Sequence, residues 1–161
     1  MQSRDGSLVL SPTDLNTFLA CPRATALDAQ VAQGVRARPE SGMDEQLALI
    51  AARGMAHERA YRESLAAQGR TIAQITGTRG GPDPDDPAAL EAATLAAMRA
   101  GVDVVYQGAF FDGTWLGFAD FLIRRDGVHS AFGDYAYDLV DTKLARHASA
   151  AALLQLATYA R

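Results

Sequence analysis

The sequence has 161 residues, of which 48% are hydrophobic and 21% charged, and these values predict one domain that is large enough to bury a core. A formal net charge of −4 argues against a broad basic surface for nucleic acid, although it leaves room for local phosphate contacts. Without a signal-peptide region or 18 consecutive apolar residues, and with a single cysteine, the chain is expected to be cytoplasmic, with no membrane partner.

The first half of the chain predicts helices. Ser11 as the cap and Pro12 at the first position begin a helix that Pro22 breaks. A long helix is predicted over residues 43–68. Its apolar stripe, with spacings of three and four residues, is expected to face inward and consists of Leu47, Ile50, Gly54, His57, Tyr61 and Leu65.

The second half changes to the period of strands. A short strand is predicted in residues 70–76, and Asp86 and Pro87 begin an alanine-rich helix that ends at Gly101. Two strands in residues 102–111 and 114–124 are expected to be joined by an Asp112-Gly113 turn. A third strand in residues 130–143 and a final helix follow. This order predicts an α/β (α+β) domain with a mixed sheet.

The final helical pattern runs to Arg161 without a glycine, asparagine or proline to end it. Natural domains seldom end in the middle of such a pattern. We therefore expect residues 1–161 to be a single domain that is a fragment of a longer chain.

Two polar side chains interrupt apolar patterns. His57 lies on the predicted inward stripe, where a histidine is either a hydrogen-bonded core residue or a ligand. Asp120 stands among apolar residues of a central strand, where a carboxylate is costly to bury unless it is paired or bound to a cation. A strand-end cap and a salt bridge with Arg124 are the structural alternatives for Asp120.

Asp141 and Lys143 are two residues apart, so on a strand they share one face. They form either an ion pair at a sheet edge or part of a site for Mg²⁺ or Mn²⁺, because carboxylates from adjacent strands make the oxygen-rich pocket that these ions prefer. A lysine beside such a metal can orient a water molecule and stabilise charge on a phosphate.

Gln155 and Tyr159 are four residues apart on the final helix, opposite an apolar stripe. The pair is expected to face solvent or a cleft, while Tyr159 alone could simply cover apolar surface. The stripe consists of Leu153, Leu156, Ala157 and Ala160.

Four motifs occur in a fixed order: "GMAH" ending at His57, "GFAD" ending at Asp120, "DTK" from Asp141 to Lys143, and "QLATY" from Gln155 to Tyr159. This order resembles the RecB-like nucleases of the PD-(D/E)xK superfamily. The opening "LSPTDLNTFLACPR" is similar to the serine-rich helix and Cys-Pro that begin many of these domains, so the resemblance covers residues 11–159.

The resemblance implies a restriction-endonuclease-like fold, in which a mixed central sheet is flanked by helices. It implies that His57, Asp120, Asp141 and the carbonyl of Thr142 bind Mg²⁺ or Mn²⁺, and that Lys143 positions the attacking water. Gln155 and Tyr159 would support the site and contact DNA. The strand that follows this helix in the family is absent here, which agrees with a fragment.

The function implied is a metal-dependent DNA nuclease, an exonuclease on DNA ends or single strands in repair or recombination, with a fused or partner helicase. A catalytically idle module that binds DNA ends or proteins is the alternative, and action on RNA is not separated from action on DNA. Relatives with an iron–sulfur cluster use one N-terminal and three C-terminal cysteines. Only Cys21 is present, so a cluster would need residues beyond Arg161, and Cys21 is interpreted here as a buried apolar side chain.

Overall fold

The computed structural model describes residues 1–39, 44–78, 80–144, 147 and 149–159, and these form a mixed α/β fold, which confirms the predicted class. In chain order the elements are β1 (Gln2–Arg4), β2 (Ser7–Val9), α1 (Pro12–Ala20), α2 (Pro22–Ala32), α3 (Glu45–Ala67), β3 (Ile72–Gln74), α4 (Pro87–Arg99), β4 (Val104–Phe111), β5 (Leu116–Ser130), β6 (Gly133–Val140) and α5 (Ala150–Tyr159). Across these ranges, none of the helices combines the length and the apolar character needed to cross a membrane.

The central sheet has the strand order β3-β4-β5-β6. The β3 strand runs parallel to β4, because α4 crosses over between them, and β4, β5 and β6 are antiparallel neighbours. The mixed sheet predicted from the sequence is therefore confirmed, and β5, which carries Asp120, lies between two partners as expected.

Helices cover both faces of this sheet. One face packs against α4 and α5 in a core that contains Leu90, Leu122 and Tyr159. The other face packs against the C-terminal half of α3 through Leu65 and Phe121. Burial of apolar side chains on both faces is the main stabilising term of such a layered fold.

The predicted helix starts are confirmed. The amide and hydroxyl of Ser11 each donate to the Asp14 carboxylate at 2.7 Å, and α1 ends at Ala20 before Pro22 opens α2. The Asp86 carboxylate accepts the Ala89 amide at 3.0 Å and caps α4.

Three expectations about local structure are wrong. Leu47 and Ile50 of α3 are 64% and 58% exposed, so the predicted stripe faces the core only near its C-terminal end, at Leu65. Cys21 joins α1 to α2 and is exposed, not buried. The β4–β5 turn is centred on Gly113 and Thr114, one position later than predicted, because the Asp112 amide donates to the Trp115 carbonyl.

One further boundary differs from the sequence prediction. The third strand ends at Val140, so the Asp141–Lys143 motif follows β6 and does not lie within it. The predicted start of α3 at Met43 lies outside the described residues, and α3 begins at Glu45 after the Asp44 cap. The β1–β2 hairpin was not predicted, although the Asp5-Gly6 dipeptide at its turn, with φ of 48° and 79°, is its sequence signal.

Candidate active site

Asp120 and Asp141 come together at one end of the β5–β6 pair. Phe121 of β5 lies opposite Val140 of β6, so the same register, continued by one residue, sets Asp141 opposite Asp120. The side chain of Asp141 is only 5% exposed, and that of Asp120 is half-buried. The backbone pairing of two strands thus brings two carboxylates to one point, as the sequence predicted from their positions.

The environment of Asp120 disfavours its charged form. Burial raises the pKa of its carboxyl to about 6, and a hydrogen bond with Asp141 together with the charges of Asp141 and Glu58 acts in the same direction. The Thr142 amide, which donates to Asp120 Oδ2 at 2.9 Å, opposes this effect, and the Thr142 hydroxyl reaches the same oxygen at 3.2 Å. Two carboxylates this close are difficult to ionise together without a cation.

Lys143 supplies a positive charge to the pair. Its Nζ donates to both carboxylate oxygens of Asp141, at 3.0 Å and 2.8 Å, while its own side chain remains 47% exposed. It is the only lysine of the sequence. The alternative salt bridge from Asp120 to Arg124 is not formed, because Arg124 pairs with Asp126 and donates to the Gly101 carbonyl.

The Gln155–Tyr159 pair lies behind the strand that carries Asp120. Tyr159 is buried, its ring packs directly on Gly117, and its hydroxyl is bonded to Gln155 Nε2 at 3.3 Å and to the backbone of Phe118. The pair was predicted to lie opposite an apolar stripe and to face solvent or a cleft, but Leu153 of that stripe is 58% exposed. The Gln–Tyr face packs against the sheet instead, and Ala160 lies outside the described residues.

The wall of the site on α3 differs from the predicted one. His57 is exposed, and the described residues form no hydrogen bond or ion pair with it. Its neighbour Glu58 is half-buried and accepts Gln107 Nε2 at 3.3 Å. Gln107 stands opposite Asp120 on β4 with a φ of 54°, which is rare for a residue with a side chain and costs about 1–3 kcal/mol.

Sequence reasoning missed Glu58 and Gln107. The only available signals were the carboxylate next to His57 and the polar residue within the apolar β4 strand. A hydrogen bond between Gln107 and Thr76, and another from Gln107 Nε2 to the Tyr106 hydroxyl at 3.3 Å, complete this wall. Burial and the hydrogen bond with Glu58 raise the pKa of Tyr106 to about 12, so its hydroxyl keeps its proton at neutral pH.

Asp120 and the polar residues of this wall line an open cleft of about 310 Å³, whose lining residues are Glu58, Thr76, Gln107, Phe118, Ala119 and Asp120. Carboxylate oxygens are ligands that Mg²⁺ and Mn²⁺ prefer. A divalent cation between Asp120 and Asp141 would also stabilise the charged form of Asp120, which is disfavoured without one. In the ranges that the structure describes, no set of three or more His, Cys, Asp or Glu side chains is arranged to hold a metal. The acidic centre therefore consists of Asp120 and Asp141, with Glu58 nearby.

Comparisons of this chain with models of protein families, with curated proteins and with solved structures found no match.

Proposed function

We propose that this chain is a divalent-metal-dependent nuclease that hydrolyses phosphodiester bonds in DNA. The observation that carries the proposal is that Asp141, paired with Lys143, lies opposite Asp120, which lines the cleft, and that these residues follow the order of the family motifs. A purely structural ion pair would not need a second carboxylate beside the first, because Asp141 adds to the effect of burial in raising the pKa of Asp120 and so costs stability.

Each residue has a separate task in this proposal. Asp120 and Asp141 would hold Mg²⁺ or Mn²⁺ with the backbone carbonyl of Thr142, and the ion would neutralise charge on the phosphate and make a bound water more acidic. The Thr142 amide and hydroxyl fix the direction of the Asp120 carboxylate. Lys143, held on Asp141 and half-exposed, can orient a water and stabilise the charge that develops on a phosphate oxygen.

Gln155 and Tyr159 would act from behind the site. Because the Tyr159 ring lies on Gly117 and its hydroxyl is bonded at Phe118, the pair fixes the segment of β5 that ends in Asp120. This supports the implied role in positioning the site. Contact with the DNA strand would then fall to side chains that are more exposed than the buried Tyr159.

The experiment that tests the proposal is digestion of end-labelled single- and double-stranded DNA in Mg²⁺, in Mn²⁺ and in EDTA. Lys143→Ala is expected to lower the cleavage rate by about 10²- to 10³-fold without unfolding the domain, since it removes one electrostatic contact with the reacting phosphate. Arg125→Ala is the matched control, because Arg125 belongs to an exposed ion pair with Asp138, at 3.7 Å on the same two strands.

The outcomes separate the candidate functions. Metal-dependent cleavage that Lys143→Ala loses and Arg125→Ala keeps supports the nuclease, and the labelled end gives its polarity. A folded wild-type protein that binds DNA but cleaves in none of the metals contradicts the proposal and favours the idle binding module.

The contribution of α3 to the cation site can be measured separately by calorimetry with Mn²⁺. The resemblance implies His57 as a ligand, whereas Glu58 is the α3 side chain that lines the cleft. A lower Mn²⁺ affinity for His57→Ala alone would support the implied ligand. A lower affinity for Glu58→Ala alone would assign the position to Glu58.

A further inference from the structure

Phe118 is an exposed aromatic side chain near the start of β5, between two buried residues. It is 39% exposed, while its neighbours on β5, Gly117 and Ala119, are buried. Phe118 is two residues from Asp120, a separation of about 6.6 Å along a strand, and both side chains line the same cleft. The apolar ring of Phe118 thus lies one two-residue strand repeat from Asp120 of the proposed cation site.

Phe118 also separates this cleft from a second groove. That groove has a volume of about 380 Å³ and runs between β2, the start of α1 and β5, with Val9, Leu10, Pro12, Leu116 and Tyr159 among its lining residues. The volume is within the range of about 300–1,000 Å³ that small-ligand sites have. Phe118 is therefore a wall of both the groove and the carboxylate cleft.

The backbone at Phe118 is held in place. The Tyr159 hydroxyl is bonded to the Phe118 backbone, and the Tyr159 ring occupies the space that a side chain at position 117 would need. The ring of Phe118 is thus presented from a fixed backbone, so that only its side-chain torsions are ordered when it binds a ligand.

We propose that Phe118 stacks on an unpaired nucleobase next to the phosphate at the proposed cation site, and that the enzyme acts on single-stranded DNA or frayed ends. This inference rests on the proposed nuclease function. Every base has an aromatic face, so one ring beside a phosphate site recognises a strand without reading its sequence. In an intact duplex both faces of a base are already stacked, and the ring would have no partner.

Another exposed apolar surface, on the N-terminal half of α3, has no such connection to a polar site. Leu47, Leu49, Ile50 and Met55 are all exposed there, but nothing in the described structure identifies what would cover them. The Phe118 surface is different because its position beside Asp120 specifies the chemistry of the ligand.

The test is equilibrium binding of a labelled single-stranded oligonucleotide in Ca²⁺, which takes the same oxygen ligands as Mg²⁺. Phe118→Ala is expected to weaken binding about 5- to 150-fold, the range that the loss of one stacked base gives. Phe118→Tyr, which keeps the ring, is expected to restore it. Leu153→Ala is the control, because Leu153 is an exposed leucine outside both clefts, and it is expected to change nothing.

A duplex and a strand with abasic sites complete the experiment. Phe118→Ala should affect the duplex less than the single strand, and the wild type should bind the abasic strand as weakly as Phe118→Ala binds the normal one. Equal affinities of the wild type and Phe118→Ala for the single strand would overturn the stacking proposal while cleavage stays intact. A wild type that neither binds nor cleaves DNA would instead remove the proposed function itself.

Discussion

Replacement of Asp120 by asparagine should stabilise the metal-free protein at neutral pH. Asp120 is held beside Asp141 with a pKa raised to about 6 from an ordinary 3.8, mainly by burial. Above pH 6 the folded protein therefore carries an unfavourable charge that the unfolded chain tolerates. An asparagine can still accept the hydrogen bond from the Thr142 amide. Its NH₂ group can donate to Asp141, so a hydrogen bond replaces the repulsion between the two carboxylates.

The magnitude follows from the pKa difference. Each tenfold change in proton affinity corresponds to about 1.4 kcal/mol, which gives a ceiling of about 3 kcal/mol for this carboxyl. Because Asp120 is only half-buried, solvent screening reduces this to about 1–1.5 kcal/mol. For a domain of this size that is a rise in Tm of about 2–6 °C.

The pH dependence gives the decisive assay, which is thermal unfolding in EDTA at pH 7.5 and at pH 4.5. As pH falls from 6 toward 3.8, the folded wild type takes up the proton first and its disadvantage disappears, so the gain of Asp120→Asn should shrink with it. Asp138→Asn, in an exposed ion pair on β6, is the control and should change Tm by less than about 2 °C. A lower Tm for Asp120→Asn at pH 7.5, or a gain that is equal at both pH values, would refute the reasoning.

Two further predictions concern the supports of the site and are measured by chemical denaturation. Gly117→Ala should destabilise the fold by about 1–3 kcal/mol, because the added methyl would overlap the buried ring of Tyr159. The control Gly54→Ala lies in open space on α3 and should stabilise the fold by about 0.5–1 kcal/mol. Equal effects of the two substitutions would show that the Tyr159 ring adjusts freely. Thr94→Val should cost about 1–3 kcal/mol, because the fully buried Thr94 hydroxyl accepts the Ala109 amide at 2.9 Å, and Thr94→Ser should retain most of that stability. An unchanged Thr94→Val would mean that the amide finds another partner.

Much of the sheet could be predicted from the sequence because its strands are buried. Near-continuous apolar runs in β4 and the first half of β5 mark a sheet covered on both faces, and the change of period after Gly101 marks where its antiparallel strands β4, β5 and β6 begin. With β5 between β4 and β6, the register then brings Asp120 and Asp141 together. The two carboxylates were therefore the part of the site that the sequence described best.

The surroundings of these carboxylates could not be predicted in the same way. The apolar stripe of α3 identifies a face of the helix but not how much of it another element covers, so Leu47 and Ile50 were placed in a core that does not reach them. The orientation of α3 brings Glu58, and not His57, into the wall of the cleft. The left-handed backbone at Gln107 is set by tertiary contacts and has no local sequence signal.

The Lys143 ammonium, which pairs with Asp141, is also a site for selective chemical labelling. Every other permanently basic side chain of this sequence is an arginine, so besides the α-amine of Met1 an acylating reagent finds one lysine amine, and that lysine stands at the proposed site. Its reactivity depends on how often it leaves the Asp141 oxygens that hold it at 2.8 Å and 3.0 Å. The rate of acylation is therefore a direct reporter of what occupies the carboxylate pair, and a fluorophore attached there would sit at the site without any substitution in the chain.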